Sequence, residues 1–148
     1  MGCYLWVVLR VVLDTSVLTA ALRSRRGASF VLLRAVRRGR LTPLATSSLF
    51  LEYEEVLKRP EQREVSGLSL ADVDRVLSVL AVAIEPVAVH LRWRPQLRDP
   101  DDELVLEAAV NGRADALVTY NVRDFRDVAP RFGIRVARPV DLLEELRS

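Results

Sequence analysis

Cysteine is almost missing from this chain. Cys3 is the only one in 148 residues, so no disulfide can close within the chain, a usage that fits a reducing cytoplasm. Histidine is equally scarce: His90 stands alone, and one His with one Cys cannot assemble a His/Cys zinc site. There is no G-x-S-x-G elbow, no G-x-x-x-x-G-K-[ST] loop and no G-x-G-x-x-G turn. These gaps exclude an elbow serine hydrolase, a Walker nucleotide site and a dinucleotide fingerprint. No apolar run approaches the roughly 18–20 residues that cross a bilayer. The longest, 4–12, is broken by Arg10. No basic segment precedes it and no small-residue cleavage site follows, so a cleaved leader is not expected. Lysine is nearly absent too, with Lys58 against 21 arginines. That skew reads as coding bias in a GC-rich genome, so the arginine count by itself says little about function.

What is present suits one soluble, cytoplasmic domain over 1–148 with a substantial core. Half the residues are hydrophobic and 28% are charged, ordinary proportions for a globular chain. The net charge of +2 hides an asymmetry. Residues 1–51 hold eight Arg and one acid, a net of +7, and the remainder carries −5. Arg23, Arg25, Arg26, Arg34, Arg37, Arg38 and Arg40 form a block with no acid among them. Such a block suits a polyphosphate backbone, a solvated helix face or an acidic protein partner.

Apolar runs and turn residues alternate along the chain. Strands are expected at 7–13, 41–45, 81–84, 116–119 and 134–137. The second is placed laterally, because Pro43 cannot donate to a ladder. Helices are expected at 16–22, 28–38 with Gly39 as the stop, 49–59 behind the caps Thr46, Ser47 and Ser48, and 70–80. The last of these opens on Ser69 and Asp72 as a capping box. Two more follow at 103–111, apolar nearly all round and hence buried, and at 139–146. Strand–helix alternation argues for an α/β domain with a parallel sheet. Residues 1–6 are a strand extension or an overcalled start.

Acids collect where such a fold gathers its ligands. Asp14 ends the first strand and is the only acid among the first 51 residues. It either caps the next helix or serves chemistry at the carboxyl edge of the sheet. Glu52 lies in the helix after the second strand. Asp99, Asp101, Asp102 and Glu103 crowd the start of the buried helix, where helix polarity alone would favour them. Asn121 and Asp124 follow the strand at 116–119. Strand ends and the helix starts behind them share one edge of a parallel sheet, so these carboxylates converge. A hard divalent cation, Mg²⁺ or Mn²⁺, turns their repulsion into attraction and can activate water for in-line displacement at phosphorus.

The ordered set resembles the PIN-domain nucleases over about 10–146. Its carriers are Val11-Val12-Leu13-Asp14-Thr15-Ser16-Val17-Leu18, Phe50-Leu51-Glu52-Tyr53-Glu54-Glu55-Val56-Leu57, Asp99-Pro100-Asp101-Asp102-Glu103, Ala114-Asp115-Ala116-Leu117-Val118-Thr119 and Asn121-Val122-Arg123-Asp124-Phe125. The resemblance implies a three-layer α/β/α sandwich around a central, mostly parallel sheet. It also implies a Mg²⁺- or Mn²⁺-dependent endoribonuclease acting on single-stranded or structured RNA, frequently the toxin of a type II toxin–antitoxin pair. A cognate antitoxin would be its partner. Separately, the apolar positions of the helix at 69–80 and of the final helix could pair between chains, so a homodimer or higher oligomer is expected. Arg59-Pro60 after the Glu helix is similar to a subgroup described as toxins of this kind.

Carried over residue by residue, Asp14 matches the first family acid. Periodicity favours Glu52 slightly over Glu54 and Glu55, and the family spacing favours it more. Glu54 and Glu55 read as i,i+4 partners of Lys58 and Arg59. Asp102 fits the third position, with Asp101 one residue away. At the fourth position this chain has Asn121, and Asp124 supplies the nearby charge, which leaves one or two metals equally compatible. The implied ligands are thus Asp14, Glu52 and Asp102, with Asp124 as a further catalytic acid. Thr15, Ser16 and Thr119 are expected to orient them by hydrogen bonds. Arg23, Arg25, Arg26, Arg37 and Arg38 are expected to meet RNA phosphates, and Trp93 packs in the core or stacks on a base. Two rivals stand beside this reading. One is a non-catalytic RNA- or protein-binding module on a degraded PIN fold. The other is a phosphatase with Asp14 as nucleophile, which wants a second Asp where Ser16 stands.

Overall fold

The computed structural model describes residues 8–91 and 95–147. The expectations for 1–6, for Val7 and for Trp93 lie outside them. Among the described residues, five strands form one parallel sheet: β1 (Leu9–Leu13), β2 (Leu41–Ala45), β3 (Glu85–Pro86), β4 (Ala116–Val118) and β5 (Arg135–Ala137), in the order β3-β2-β1-β4-β5. The helices are α1 (Thr15–Arg23), α2 (Ala28–Arg37), α3 (Ser47–Leu57), α4 (Pro60–Ser66), α5 (Leu70–Ala83), α6 (Pro100–Gly112), α7 (Val122–Phe125) and α8 (Pro139–Arg147). None is long and apolar enough to cross a membrane.

The order of strands explains the layers. From β1 the chain steps outward to β2 and β3, then returns through α6 to β4 on the other side of β1. Right-handed crossovers in opposite directions put their helices on opposite faces of the sheet, which gives an α/β/α sandwich. β1 is covered on both faces, so Val11, Val12 and Leu13 are all at most 1% exposed. This is why the strand reads as a continuous apolar run rather than an alternation. The reversal falls between β1 and β4, the point where open α/β sheets leave a crevice at their carboxyl edge.

Local chemistry fixes the helix ends. Thr46 caps α3 by accepting from the Leu49 N–H at 3.1 Å. Ser69 and Asp72 close the capping box of α5 in both directions. Gly39 takes φ +75 just past α2, a conformation that costs a residue with a Cβ. α6 packs against β1, β2 and β4, and no residue from 102 to 112 is exposed.

Two expectations about the sheet need correcting. Residues 81–83 complete α5 instead of starting a strand, and only Glu85–Pro86 pair with β2. The residues Ala81, Val82 and Ala83 continue a capped helix, and its cooperative propagation outweighs the local β propensity. Nor is β2 lateral, since it lies between β1 and β3. Pro43 is tolerated there because β3 pairs only with Leu44 and Ala45, beyond the missing donor.

Candidate active site

Asp14 sits at the N-cap position of α1 with extended backbone angles, yet its side chain makes no capping hydrogen bond. The carboxylate is used differently. Its Oδ2 accepts from the Ser16 hydroxyl at 2.9 Å and from the Thr119 hydroxyl at 2.7 Å. Both donors lie at the same edge, one on the first turn of α1 and one directly after β4. The ladder continues up to them: the Asp14 N–H donates to Val118 O at 2.9 Å and the Thr119 N–H to Ala137 O at 3.0 Å. Asp14 is 6% exposed, so among the described residues two neutral hydroxyls, rather than a cation, hold a nearly buried carboxylate in one rotamer.

Glu52 is delivered by α3. Leu49, Tyr53, Val56 and Leu57 turn inward and are buried, and Glu52 rides with them to 8% exposure. Glu54 and Glu55 stay outside as ion-pair partners of Lys58 at 3.7 Å and Arg59 at 3.0 Å. The Tyr53 hydroxyl donates to Leu13 O at 2.5 Å, which pins α3 to the residue before Asp14. Burial also pushes that phenol well above its ordinary range. The Thr15 hydroxyl donates to Glu52 Oε2 at 3.1 Å. Burial raises the Glu52 carboxyl to about 7, and the charge of Asp101, a hydrogen bond with its carboxyl and the charge of Asp14 add to the rise.

The third group opens α6. Asp99 caps the helix, its Oδ1 accepting from the Asp101 N–H at 2.8 Å. Asp102 is half-buried, and burial followed by the charges of Asp99, Asp14, Asp124 and Asp101 raises it to about 6. The two neighbours divide the space: Asp101 interacts with Glu52, whereas Asp102 senses Asp14 and Asp124. Asn121 starts α7 without using its side chain as a cap, and its N–H donates to the Thr119 hydroxyl at 2.9 Å. Asp124 is exposed.

Carboxylates from β1, α3, α6 and α7 therefore share one electrostatic site, and the charges that act most on Glu52 and Asp102 are those of other carboxylates. Among the described residues, no three His, Cys, Asp or Glu side chains stand close enough to ligate an ion directly. The donor set is nonetheless all oxygen, and Mg²⁺ is ordinarily held by one or two carboxylates while keeping several waters. The mutual repulsion recorded in the raised carboxyls is what a hard cation relieves. These residues fit such an ion, with water completing its shell.

The arginine block divides. Arg23 donates to the Gln62 side chain at 2.9 Å, and Arg25 and Arg26 are exposed between α1 and α2. Arg37 and Arg38 lie at the far end of α2. Arg37 is about 12 Å along the axis from Ser29 at 1.5 Å per residue. With Arg34 and Arg75 they line a groove of about 620 Å³ between α2 and α5, floored by Leu22, Phe30, Leu33, Val36, Val76, Val79 and Leu80. The arginines at 23–40 are thus spread from the end of α1 and the loop before α2 to the far end of that helix.

Sequence reasoning passed over Tyr53 as a strut and Tyr120 as a site neighbour. Tyr53 carried a signal, an aromatic beside the candidate Glu on an apolar helix face. Tyr120 carried only its place between Thr119 and Asn121.

A family model described as a PIN domain matches residues 10–123. Comparison with curated proteins finds no significant match. Among chains of known structure, the complex of VapBC2 from Rickettsia felis bound to a DNA fragment from their promoter contains a similar one. The TM-score is 0.58 at 14% identity, covering 88% of this chain and 98% of that one. At that identity the likeness speaks for the fold.

Proposed function

The chain belongs to the PIN-domain family, and from that premise we propose that it is a Mg²⁺- or Mn²⁺-dependent endoribonuclease, the toxin of a toxin–antitoxin pair. The observation that carries this reading is Asp14. It is released from helix capping, oriented by two hydroxyls, and placed in one electrostatic site with Glu52, Asp101 and Asp102. A residue serving only to start α1 would not be held this way.

Asp14, Glu52 and Asp102 would hold the ion, in part through water, with Asp124 adding negative charge at the rim. A bound divalent cation supplies Lewis acidity toward the phosphodiester and lowers the pKa of an attacking water. The chain's own groups do the rest. Thr15, Ser16 and Thr119 fix the carboxylate rotamers. Asp101, exposed and near enough for its charge to act on Glu52, would orient the attacking water. Arg25 and Arg26, ahead of the α2 start, meet backbone phosphates.

The reading includes a partner. The groove between α2 and α5 has an apolar floor and four arginines at its margins, which suits an amphipathic acidic segment of an antitoxin. The similar chain of known structure belongs to VapBC2 bound to a DNA fragment from their promoter. Exposed Val82 on α5, outside that groove, suits self-association.

A non-catalytic binding module is the second reading, and Asn121 in place of a fourth acid favours it. Purified protein incubated with Mn²⁺ or Mg²⁺ and varied RNAs separates the two, with Asp14→Asn as the control. Cleavage lost in Asp14→Asn and in chelator supports the nuclease. Cleavage surviving Asp14→Asn removes the proposed site, and clean wild-type protein that binds RNA without cutting it supports the module.

A further inference from the structure

Tyr120 is the exposed aromatic nearest in sequence to the carboxylates, and it is held rather than loose. It follows Thr119, whose hydroxyl bonds Asp14 at 2.7 Å, and its own N–H points at the Ser16 hydroxyl at 3.5 Å. Its phenol oxygen lies 2.5 Å from the hydroxyl of Ser29 in the first turn of α2. Ser29 is 1% exposed, whereas Tyr120 is 45% exposed. The ring thus runs from the end of β4 to the start of α2, fixed at both ends, while nearly half of the residue's surface stays open one position beyond Thr119. A tyrosine serving only as a latch between two elements would be expected to bury its ring along with its hydroxyl.

We propose that Tyr120 is a stacking platform that positions a base of the RNA next to the phosphodiester being cut. The proposal rests on the ribonuclease reading and adds a specificity-determining residue to it. Aromatic faces stack on any base, and a ring tethered in advance loses little rotamer freedom when the base arrives. Tyr120 therefore fixes where along the strand the chain is cut rather than which base is read.

The experiment is a double-mutant cycle between protein and RNA. Wild type, Tyr120→Phe, Tyr120→Leu and Ser29→Ala are compared on one oligoribonucleotide, intact or carrying single abasic sites scanned across its cleavage point. Binding is measured separately, by anisotropy of labelled RNA on Asp14→Asn versions of each protein. Wild type should lose about 5- to 150-fold in kcat/KM and in affinity at one abasic position, the range for one stacked base. Tyr120→Leu should lose the same amount on intact RNA and nothing further at that position, mostly through KM. Tyr120→Phe and Ser29→Ala keep the ring and lose only the tether, so they should lose less than Tyr120→Leu and still respond to the abasic site. Thermal unfolding of each variant is recorded alongside. Were Tyr120→Leu to lower Tm yet bind and cut intact RNA like wild type, or to remain as sensitive as wild type to every abasic site, the platform is wrong and Tyr120 is a latch. RNA left uncut by wild-type protein would instead overturn the nuclease reading beneath it.

Discussion

At the scale of single residues, two acids of the site, Glu52 and Asp102, are kept from their ordinary charge. Glu52 stands at about 7 instead of 4.5, first because it is buried and then because Asp101 and Asp14 lie near. Asp102 stands at about 6 instead of 3.8 for related reasons. Between those limits the folded chain keeps protons that the unfolded chain has released, so stability falls as pH rises through that window. The metal-free protein should accordingly show a lower denaturation midpoint at pH 8 than at pH 5. Millimolar Mg²⁺ or Mn²⁺ should raise the midpoint at pH 8 and do much less at pH 5, where the carboxyls are protonated. Denaturant titrations at the two pH values check this, and a pH-independent midpoint contradicts it. Cleavage should rise with pH across about 6 to 7 for the same reason. Thr119→Val removes the shortest bond to Asp14 while nearly keeping its shape. It should weaken metal affinity about 10- to 100-fold, the usual cost of losing a ligand's orienting partner, read by metal titration of cleavage and by calorimetry.

At the scale of elements, legibility followed the strength of the local signal. β1, α2, the α5 cap and the buried α6 could be read because each joins a clear period to a capping or stopping residue. Glu52 could be separated from Glu54 and Glu55 because one helix face is apolar and the other two acids have basic partners four residues on. The 81–84 segment misled because its aliphatic residues suit a strand as well as a helix, and only the register with Leu44 and Ala45 shows where pairing begins. Whether Asp101 or Asp102 turns toward Glu52 depends on the pitch of α6 against β1, which no spacing in the sequence reveals. Arg113, the C-cap of α6, has φ +50 and is the only described residue other than glycine at positive φ. Arg113→Gly should stabilise the fold by about 0.5–1 kcal/mol, visible as a rise of a few degrees in Tm. Phe125 is fully buried at the end of the four-residue α7. Phe125→Ala should cost about 3–5 kcal/mol and loosen Asn121 and Asp124 along with the core, measured by chemical denaturation.

At the scale of the whole molecule, the uneven charge seen in the sequence becomes two surfaces instead of one. Arg25 and Arg26 lie ahead of the α2 turn that touches Tyr120, while Arg37 and Arg38 line the groove with α5. The sequence showed the excess but not this division, because α2 carries its arginines along an axis leading away from the carboxylates. Reversing Arg25 and Arg26 to Glu should weaken RNA binding and flatten its dependence on salt, as measured by binding titrations between 50 and 300 mM salt. Reversing Arg37 and Arg75 should leave RNA cleavage near wild type and lower the affinity of a co-expressed antitoxin.

The two margins of the sheet carry a consequence for how chains meet. At one margin only Glu85 and Pro86 are paired, a charge and an imide lacking a donor, and at the other three residues beginning with Arg135. Neither offers a template long enough for another chain's strand to add to, and both carry features that discourage such growth. Among the described residues, the helices offer the more extensive surfaces for assembly. The proposed self-association should therefore be lost on substitution of helix residues and should not grow into fibres.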